Sequence, residues 1–294
     1  MRPALLIVNP RATRVTPAVA EAVARELRAR GPLDVVETAA PGHATELAAA
    51  AGEREVFVLS GDGGFNEALN GFAGRTAIGF LPGGGTSVLP RLLGLPRDPL
   101  AAARALARSG RTRRISLGRV NGRRFAFAAS LGLDAEVVRT IDEQGRSPEG
   151  RRPGDLAFGL AFGRILRERR VRLDPIAEVA GRGRVAWVLV ANGNPYTYAG
   201  RLPLRVAPEA RLEAGLDLVA PRKIRPLSAP RLAVYALLGR GQRRARDVLY
   251  GHDLDRIEVR CDRPTALQAD GEDLGDVTEA LLEAERDAVS VLVP

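Results

Sequence analysis

The chain has 294 residues, 45% of them hydrophobic, which is enough for one large domain or two ordinary ones; with only 4% aromatics, the core must be mainly Leu, Val and Ala. Its net charge of +9, nearly all arginine beside the sole lysine Lys223, favours anionic partners. One cysteine, Cys261, and two histidines, His43 and His252, exclude a disulfide framework and a zinc cluster, and so few aromatics argue against base stacking, so no nucleic acid is expected.

In chain order, residues 4–8 read as a strand ending at Asn9-Pro10, with an N-terminal apolar stretch too short for a secretory signal. Residues 18–30 have helical spacing, 33–37 form a second strand, and 44–51 an Ala-rich helix. Residues 55–71, EVFVLSGDGGFNEALNG, carry the densest signal. The apolar run at 56–59 suits a strand covered on both faces. Gly61, Gly63 and Gly64 then strip side chains from a sharp turn, and a helix over 65–72 points its free N–H groups back at it. That arrangement binds phosphate. Asp62 in the turn and Glu67 a helical turn later place acids beside it, which makes sense if a divalent cation or a reacting hydroxyl intervenes. The plain alternative is a tight strand-to-helix connection with no ligand.

A strand at 77–81 leads into a second glycine turn, PGGGT at 82–86, and 100–108 is another helix. This alternation predicts a parallel sheet with helices on both faces. Asn9-Pro10 and both glycine turns then fall at its carboxyl edge, where open α/β sheets bind ligands. From residue 115 short strand-like runs recur: ISLGRV, RRFAFAAS, VAWVLVAN, LPLRVA, LDLVAP, RIEVRC and TALQA. They predict a mainly antiparallel second domain over 115–286, after a first over 1–114, with a cleft between them. Residues 155–167 and 229–249 look helical, 143–153 reads as a mobile loop, and the final AVSVLVP as a strand.

No phosphate-loop lysine follows the glycines, and G-x-G-x-x-G fails at Asn66, so backbone N–H groups and arginines must hold any phosphate. Asp270-Gly271-Glu272 puts two acids across one glycine after a strand, a pair able to take a proton from an alcohol. Its plain alternative is an acidic β-turn. Arg231, Arg240, Arg243, Arg244 and Arg246 flank an apolar stretch at 232–238 containing Tyr235. That suits reversible docking on an anionic membrane or, equally, a packed helix with a solvated basic face. No apolar run reaches bilayer-spanning length. The expected location is cytoplasmic, with peripheral contact at the inner face of the membrane.

Together these segments resemble the diacylglycerol kinase catalytic-domain superfamily, which includes sphingosine kinases and bacterial lipid kinases, over essentially the whole chain. The resemblance runs from Asn9-Pro10 through GDGGFNEALNG, like the family's GGDGTxNEVxNG, and PGGGTSVLPRLLGLP at 82–96. SLGLDAEVV at 130–138, GNPYTYAG, the APEARLEAGLDLV stretch and the terminal DGE complete it. It implies an α/β N-terminal domain with a parallel sheet, like phosphofructokinases and NAD kinases. A mainly antiparallel β-sandwich C-terminal domain would carry the lipid site, and residues 287–294 would return to the first domain. It further implies a lipid kinase using ATP and Mg2+. Asn9, Pro10, Thr38, Gly61, Asp62, Gly63, Gly64, Asn66, Glu67, Gly85 and Thr86 would serve the nucleotide. Asp270 and Glu272 would supply the general base, with the choice between them open.

The chain departs from the family at several points. Gly64 and Gly85 replace Thr, Ser87-Val88 replaces Asn-Asp, Ser116 replaces a magnesium-organising Asp, and Ala214 replaces an acid used for a structural metal. Asp62, Glu213 and Asp217 are the remaining metal candidates. These losses sustain a second expectation, a non-catalytic nucleotide or lipid sensor, whereas the retained Asp62, Glu67, Asp270 and Glu272 favour an active enzyme. NAD kinase shares the GDG turn, but its second NE/D-type and Thr-Pro-Thr-Gly patterns are missing here. The expected partners are a lipid substrate, an anionic membrane surface and a second copy in a homodimer.

Overall fold

The computed structural model describes residues 3–74, 76–143 and 155–294, the side chains of 155–157 excepted. From residue 144 on, the expected loop at 143–153 lies outside the described residues. The chain divides into two compact units, residues 1–115 with 287–294, and residues 116–286.

Unit 1 alternates β1 (Ala4–Val8), α1 (Pro17–Arg28), β2 (Leu33–Glu37), α2 (His43–Ala49), β3 (Glu55–Ser60), α3 (Asp62–Gly71), β4 (Ala77–Pro82), α4 (Val88–Leu92) and α5 (Pro99–Ser109). The helix starts follow local chemistry. Thr16 accepts the Val19 N–H and Asp98 the Ala101 N–H, each just before a proline at the first helical position. The uninterrupted apolar runs of β1, β3 and β4 are buried almost throughout, as strands covered on both faces are. The strands are parallel in the order β2-β1-β3-β4, and Ser290 and Val291 near the C-terminus pair in parallel with Ala77 and Ile78 of β4. Right-handed crossovers in that order put α1 on one face and α2 with α3 on the other. In agreement, α1 packs on α5 and α2 on α3. The strand order reverses between β1 and β3, and such a switch point opens a crevice beyond the strands' carboxyl ends.

β5 (Arg111–Val120) runs across the boundary between the units. Unit 2 continues with β6 (Arg123–Phe125), β7 (Ala128–Leu131), α6 (Leu133–Glu143), α7 (Asp155–Glu168), β8 (Ala177–Val179), β9 (Gly183–Val185) and β10 (Val188–Ala191). After these come β11 (Thr197–Ala199), β12 (Leu202–Leu204), β13 (Leu216–Pro221), α8 (Ala229–Leu238), β14 (Val248–Leu254), β15 (Arg256–Ala269) and β16 (Glu272–Val293), whose residues from 287 on belong to unit 1. Its sheet is antiparallel, in the order β14-β13-β10-β7-β15-β16. Phe125, Val188, Val190, Leu216, Leu218, Leu267 and Leu282 fill one core. Leu133, Val137 and Ile141 of α6 meet Ala161 and Ile165 of α7 in another. Cys261 is half-buried in β15, and burial pushes its thiol up, which keeps it an inert packing residue.

Three expectations need correction. α3 starts at Asp62 rather than at residue 65, so Gly63 and Gly64 lie in its first turn. The helix expected over 229–249 stops at Leu238, because Gly239 turns left-handed at φ 63° and its N–H closes on the Tyr235 carbonyl. RIEVRC and TALQA are parts of one 14-residue strand, β15. The helices α4 and α6 were not anticipated. Among the described residues no helix is long and apolar enough to cross a membrane.

Candidate functional site

In unit 1, the carboxyl ends of the strands bring Asn9, Thr38, Gly61 and the turn at 83–86 to one edge of the sheet. The Asn9 N–H donates to the Leu59 carbonyl at 2.9 Å, and Asn9 Nδ2 donates to Ser60 Oγ at 3.1 Å. The Thr38 N–H donates to the Val8 carbonyl at 2.8 Å, and the Gly83 N–H to the Ser60 carbonyl at 2.6 Å. The two glycine turns touch: a β-carbon on Gly84 would lie 2.8 Å from the Gly61 Cα. Only glycine permits that approach. Gly61, the residue before α3, offers no side-chain cap, and an uncapped helix start is where backbone N–H groups can meet an anion.

The acids here hold loops. Asp62 Oδ1 accepts the Leu89 N–H at 3.3 Å, tying α3 to the start of α4. Glu67 Oε2 accepts the Gly42 N–H at 2.9 Å, fixing the start of α2. Asn66 is buried, and its Oδ1 and carbonyl take Asn70 Nδ2. Pro10 and Gly85 are exposed, with Thr86 and Gly63 half-buried.

Ser60 escaped the sequence reading. It is buried at the end of β3, with Oγ only 2.1 Å from where a β-carbon on Gly64 would lie. The family pattern GGDGT has glycine at the first of these positions and threonine at the last, and Ser60 and Gly64 invert it. A hydroxyl from the strand thus takes the volume that the helix residue would use, which accounts for the departure at Gly64.

In unit 2, Asp270 and Gly271 form the two-residue turn between β15 and β16, at φ 50° and 81°, the conformation that Asp-Gly hairpins adopt. The acidic-turn alternative is structurally right, and the turn directs Asp270 inward. Its carboxylate is buried and accepts the backbone N–H groups of Ala126 at 2.6 Å, Phe127 at 2.9 Å and Ala128 at 3.2 Å. Glu272 is half-exposed and pairs with Arg123 at 2.9 Å.

A polar network that the sequence reading missed adjoins this turn. Gln268 Oε1 accepts the Gly271 N–H at 2.9 Å, and its Nε2 donates to Ser130 Oγ and Asp134 Oδ2, both at 2.9 Å. Asp134 Oδ2 also accepts the Ser130 hydroxyl at 2.6 Å and the Tyr196 hydroxyl at 2.7 Å. Burial raises the Asp134 carboxyl above the usual carboxylate range, and burial together with Asp134 pushes the Tyr196 phenol well up. The available signal was a set of polar residues inside apolar runs, in SLGLDAEVV, GNPYTYAG and TALQADGE.

Of the metal candidates Glu213 and Asp217, only Asp217 is buried. Asp217 is fully buried and accepts His252 Nδ1–H at 2.8 Å, the Tyr250 hydroxyl at 3.1 Å and the Asp253 N–H at 3.1 Å. Burial raises its carboxyl. Among the described residues no three His, Cys, Asp or Glu side chains converge as metal ligands. Ala214 stands in place of an acid, and three protein donors already engage Asp217. Chelation with EDTA is therefore expected to leave the thermal midpoint of the nucleotide-free protein unchanged. His252→Ala should lower stability by about 1–3 kcal/mol, by removing one of three donors to a buried carboxylate. A midpoint that falls on chelation would contradict this.

Comparison with known proteins bears out the resemblance. Residues 3–120 match the family model of the diacylglycerol kinase catalytic domain. A diacylglycerol kinase of Bacillus subtilis (strain 168) is 28% identical over 245 residues, covering 80% of this chain and 77% of that protein. The crystal structure of a diacylglycerol kinase from Bacillus anthracis str. Sterne has a TM-score of 0.74 at 18% identity, covering 100% of this chain and 97% of that one. A second structure from the same strain reaches 0.76 at 19% identity, covering 100% and 97%. At such identities these structures establish the fold: parallel strands in the N-terminal part and antiparallel strands in the C-terminal part.

Proposed function

We propose that this chain, with its match to the diacylglycerol kinase catalytic domain, is an ATP-dependent lipid kinase that phosphorylates the hydroxyl of diacylglycerol or a related lipid. The observation that carries it is the meeting of two glycine turns, which follow the adjacent strands β3 and β4, at the uncapped start of α3, beside the point between β1 and β3 where the sheet order reverses. Backbone amides from Gly61 to Gly64 would hold the ATP phosphates, with Asn9, Thr38, Gly85 and Thr86 completing the nucleotide site.

The residues present fit a magnesium nucleotide. Magnesium takes one or two carboxylates and completes its shell with phosphate oxygens and water, so Asp62 would hold it without a cage of protein ligands. Bound there, it would neutralise charge on the phosphates. In unit 2, Glu272 is the acid able to accept the proton of the lipid hydroxyl, because the Asp270 oxygens already take three backbone donors. The lipid oxygen bonds to the γ-phosphorus as the bond to the β-phosphate oxygen breaks, and ADP leaves. Asp270 is a positioning residue that fixes the turn from which Glu272 projects.

One observation favours a second reading, a non-catalytic sensor. Val88 is packed in the core, and Ser116 is fully buried with its Oγ lacking a hydrogen-bond partner, at positions where the resemblance implies acids. Transfer of labelled γ-phosphate from Mg-ATP to a lipid panel in mixed micelles, with NAD as a further acceptor, separates the readings. Label on one lipid class is expected. ATP binding with no transfer would select the sensor, label on NAD would select a nucleotide kinase, and no ATP binding would sink the nucleotide site.

A further inference from the structure

α8 is a ten-residue helix, APRLAVYALL, with no buried residue and no acid. A helix this apolar, with Arg231 its one charged residue, normally lies inside a protein. Its inner face, Ala229, Leu232 and Tyr235, packs against the cores of unit 2. Gln242 fixes its end by donating from Nε2 to the Tyr235 carbonyl at 2.9 Å and to the Arg205 and Val206 carbonyls. The Arg205 N–H adds a bond to the Ala236 carbonyl at 2.6 Å. The opposite face carries Pro230, Ala233, Val234, Leu237 and Leu238, spaced by three and four residues, all exposed. Leu238 is 62% exposed, and Leu227, just before the helix, is 96% exposed. Such a stripe on a firmly anchored helix is built to be covered.

Charge identifies the cover. Lys223 precedes the stripe and Arg240, Arg244 and Arg246 follow it; all four are exposed and make no ion pair among the described residues. Arg231 is neutralised by Asp247, and Arg243 by Glu209. A protein groove would match the apolar stripe without needing cations at both ends. An anionic bilayer surface matches both, with apolar side chains entering the headgroup boundary and basic ones meeting lipid phosphates.

We infer that α8, with Leu227 and the basic residues at both ends, docks this protein on an anionic lipid bilayer. The purpose of docking rests on the lipid-kinase reading, but binding is measured without turnover, so either idea can fail alone. The test is co-sedimentation of the full chain with phosphatidylcholine vesicles, with and without phosphatidylglycerol, alongside the variants V234D/L238D and R240E/R244E/R246E. Wild type should sediment only with phosphatidylglycerol vesicles. Reversing three cations should weaken binding by at least about a hundredfold, and the apolar variant by at least about tenfold. Both variants should keep the wild-type near-ultraviolet spectrum. Wild type that ignores anionic vesicles, or variants that bind as wild type does, would overturn the inference. So would self-association of wild type, by analytical ultracentrifugation, that V234D/L238D abolishes, because the stripe would then belong to a second copy.

Discussion

Asp270→Ala is expected to destabilise unit 2 by about 3–5 kcal/mol, whatever the chain catalyses. The carboxylate is buried and accepts the N–H groups of Ala126, Phe127 and Ala128, which lead from β6 into β7. Without it, these donors are left in a site where a small side chain supplies no acceptor, at roughly 1–3 kcal/mol each before any water enters. Alanine also meets a left-handed backbone at φ 50°, which costs about 1–2 kcal/mol more than glycine does. Asp270→Gly removes the acceptor without that strain. Asp270→Asn keeps one acceptor oxygen and tolerates the backbone, so its loss should be nearer about 1–3 kcal/mol. The expected order of damage is therefore Asn, Gly, Ala. Urea unfolding followed by the fluorescence of Trp187, the sole tryptophan, reports unit 2 directly. If Asp270→Gly were as stable as wild type, the amide clamp would not be holding the turn.

That clamp marks where reading the sequence stops short. Periodicity located β1, β2 and α7 closely because their apolar spacing is local, and the Asp-Gly pair announced its own hairpin turn. The start of α3 was missed because two glycines are poor helix formers. Tertiary packing overrides that propensity: the Ser60 side chain fills the space beside Gly64 and leaves no room for a larger residue. The stop at Leu238 was missed because the apolar and basic texture continues, while the left-handed Gly239 alone ends the helix. Asn9, Gly61 and the turn at 83–86 were placed together correctly, since each follows a strand of one parallel sheet. The Ser130–Asp134–Tyr196–Gln268 network was not legible, because antiparallel pairing joins residues from distant segments and no local rule gives that register. For the same reason the hydrogen bonds of His252 and Tyr250 to Asp217 were not legible in the sequence.

Glu272→Gln should separate chemistry from architecture. If Glu272 takes the proton of the lipid hydroxyl, the amide, isosteric but unable to do so, should slow phosphoryl transfer by about 10²–10⁴-fold. ATP binding should not change, because the residue belongs to unit 2 and the proposed nucleotide contacts to unit 1. Stability should change little. The Arg123–Glu272 pair at 2.9 Å is about a third exposed on each side, and such pairs contribute about 0–1 kcal/mol. Glutamine can still accept a hydrogen bond from Arg123, so the variant keeps the local geometry. Arg123→Ala is the control, since it removes the partner and leaves the acid. It should retain most of the rate, whereas a structural role for the pair would make it as slow as Glu272→Gln. Asp270→Asn, assayed at a temperature where the variant is folded, completes the comparison. A full rate in Glu272→Gln beside a lost rate in folded Asp270→Asn would transfer the base to Asp270, and the three backbone bonds would then be orienting a reacting carboxylate. A loss in Glu272→Gln alone would leave Asp270 as the support of the turn and Glu272 as the group that meets the lipid.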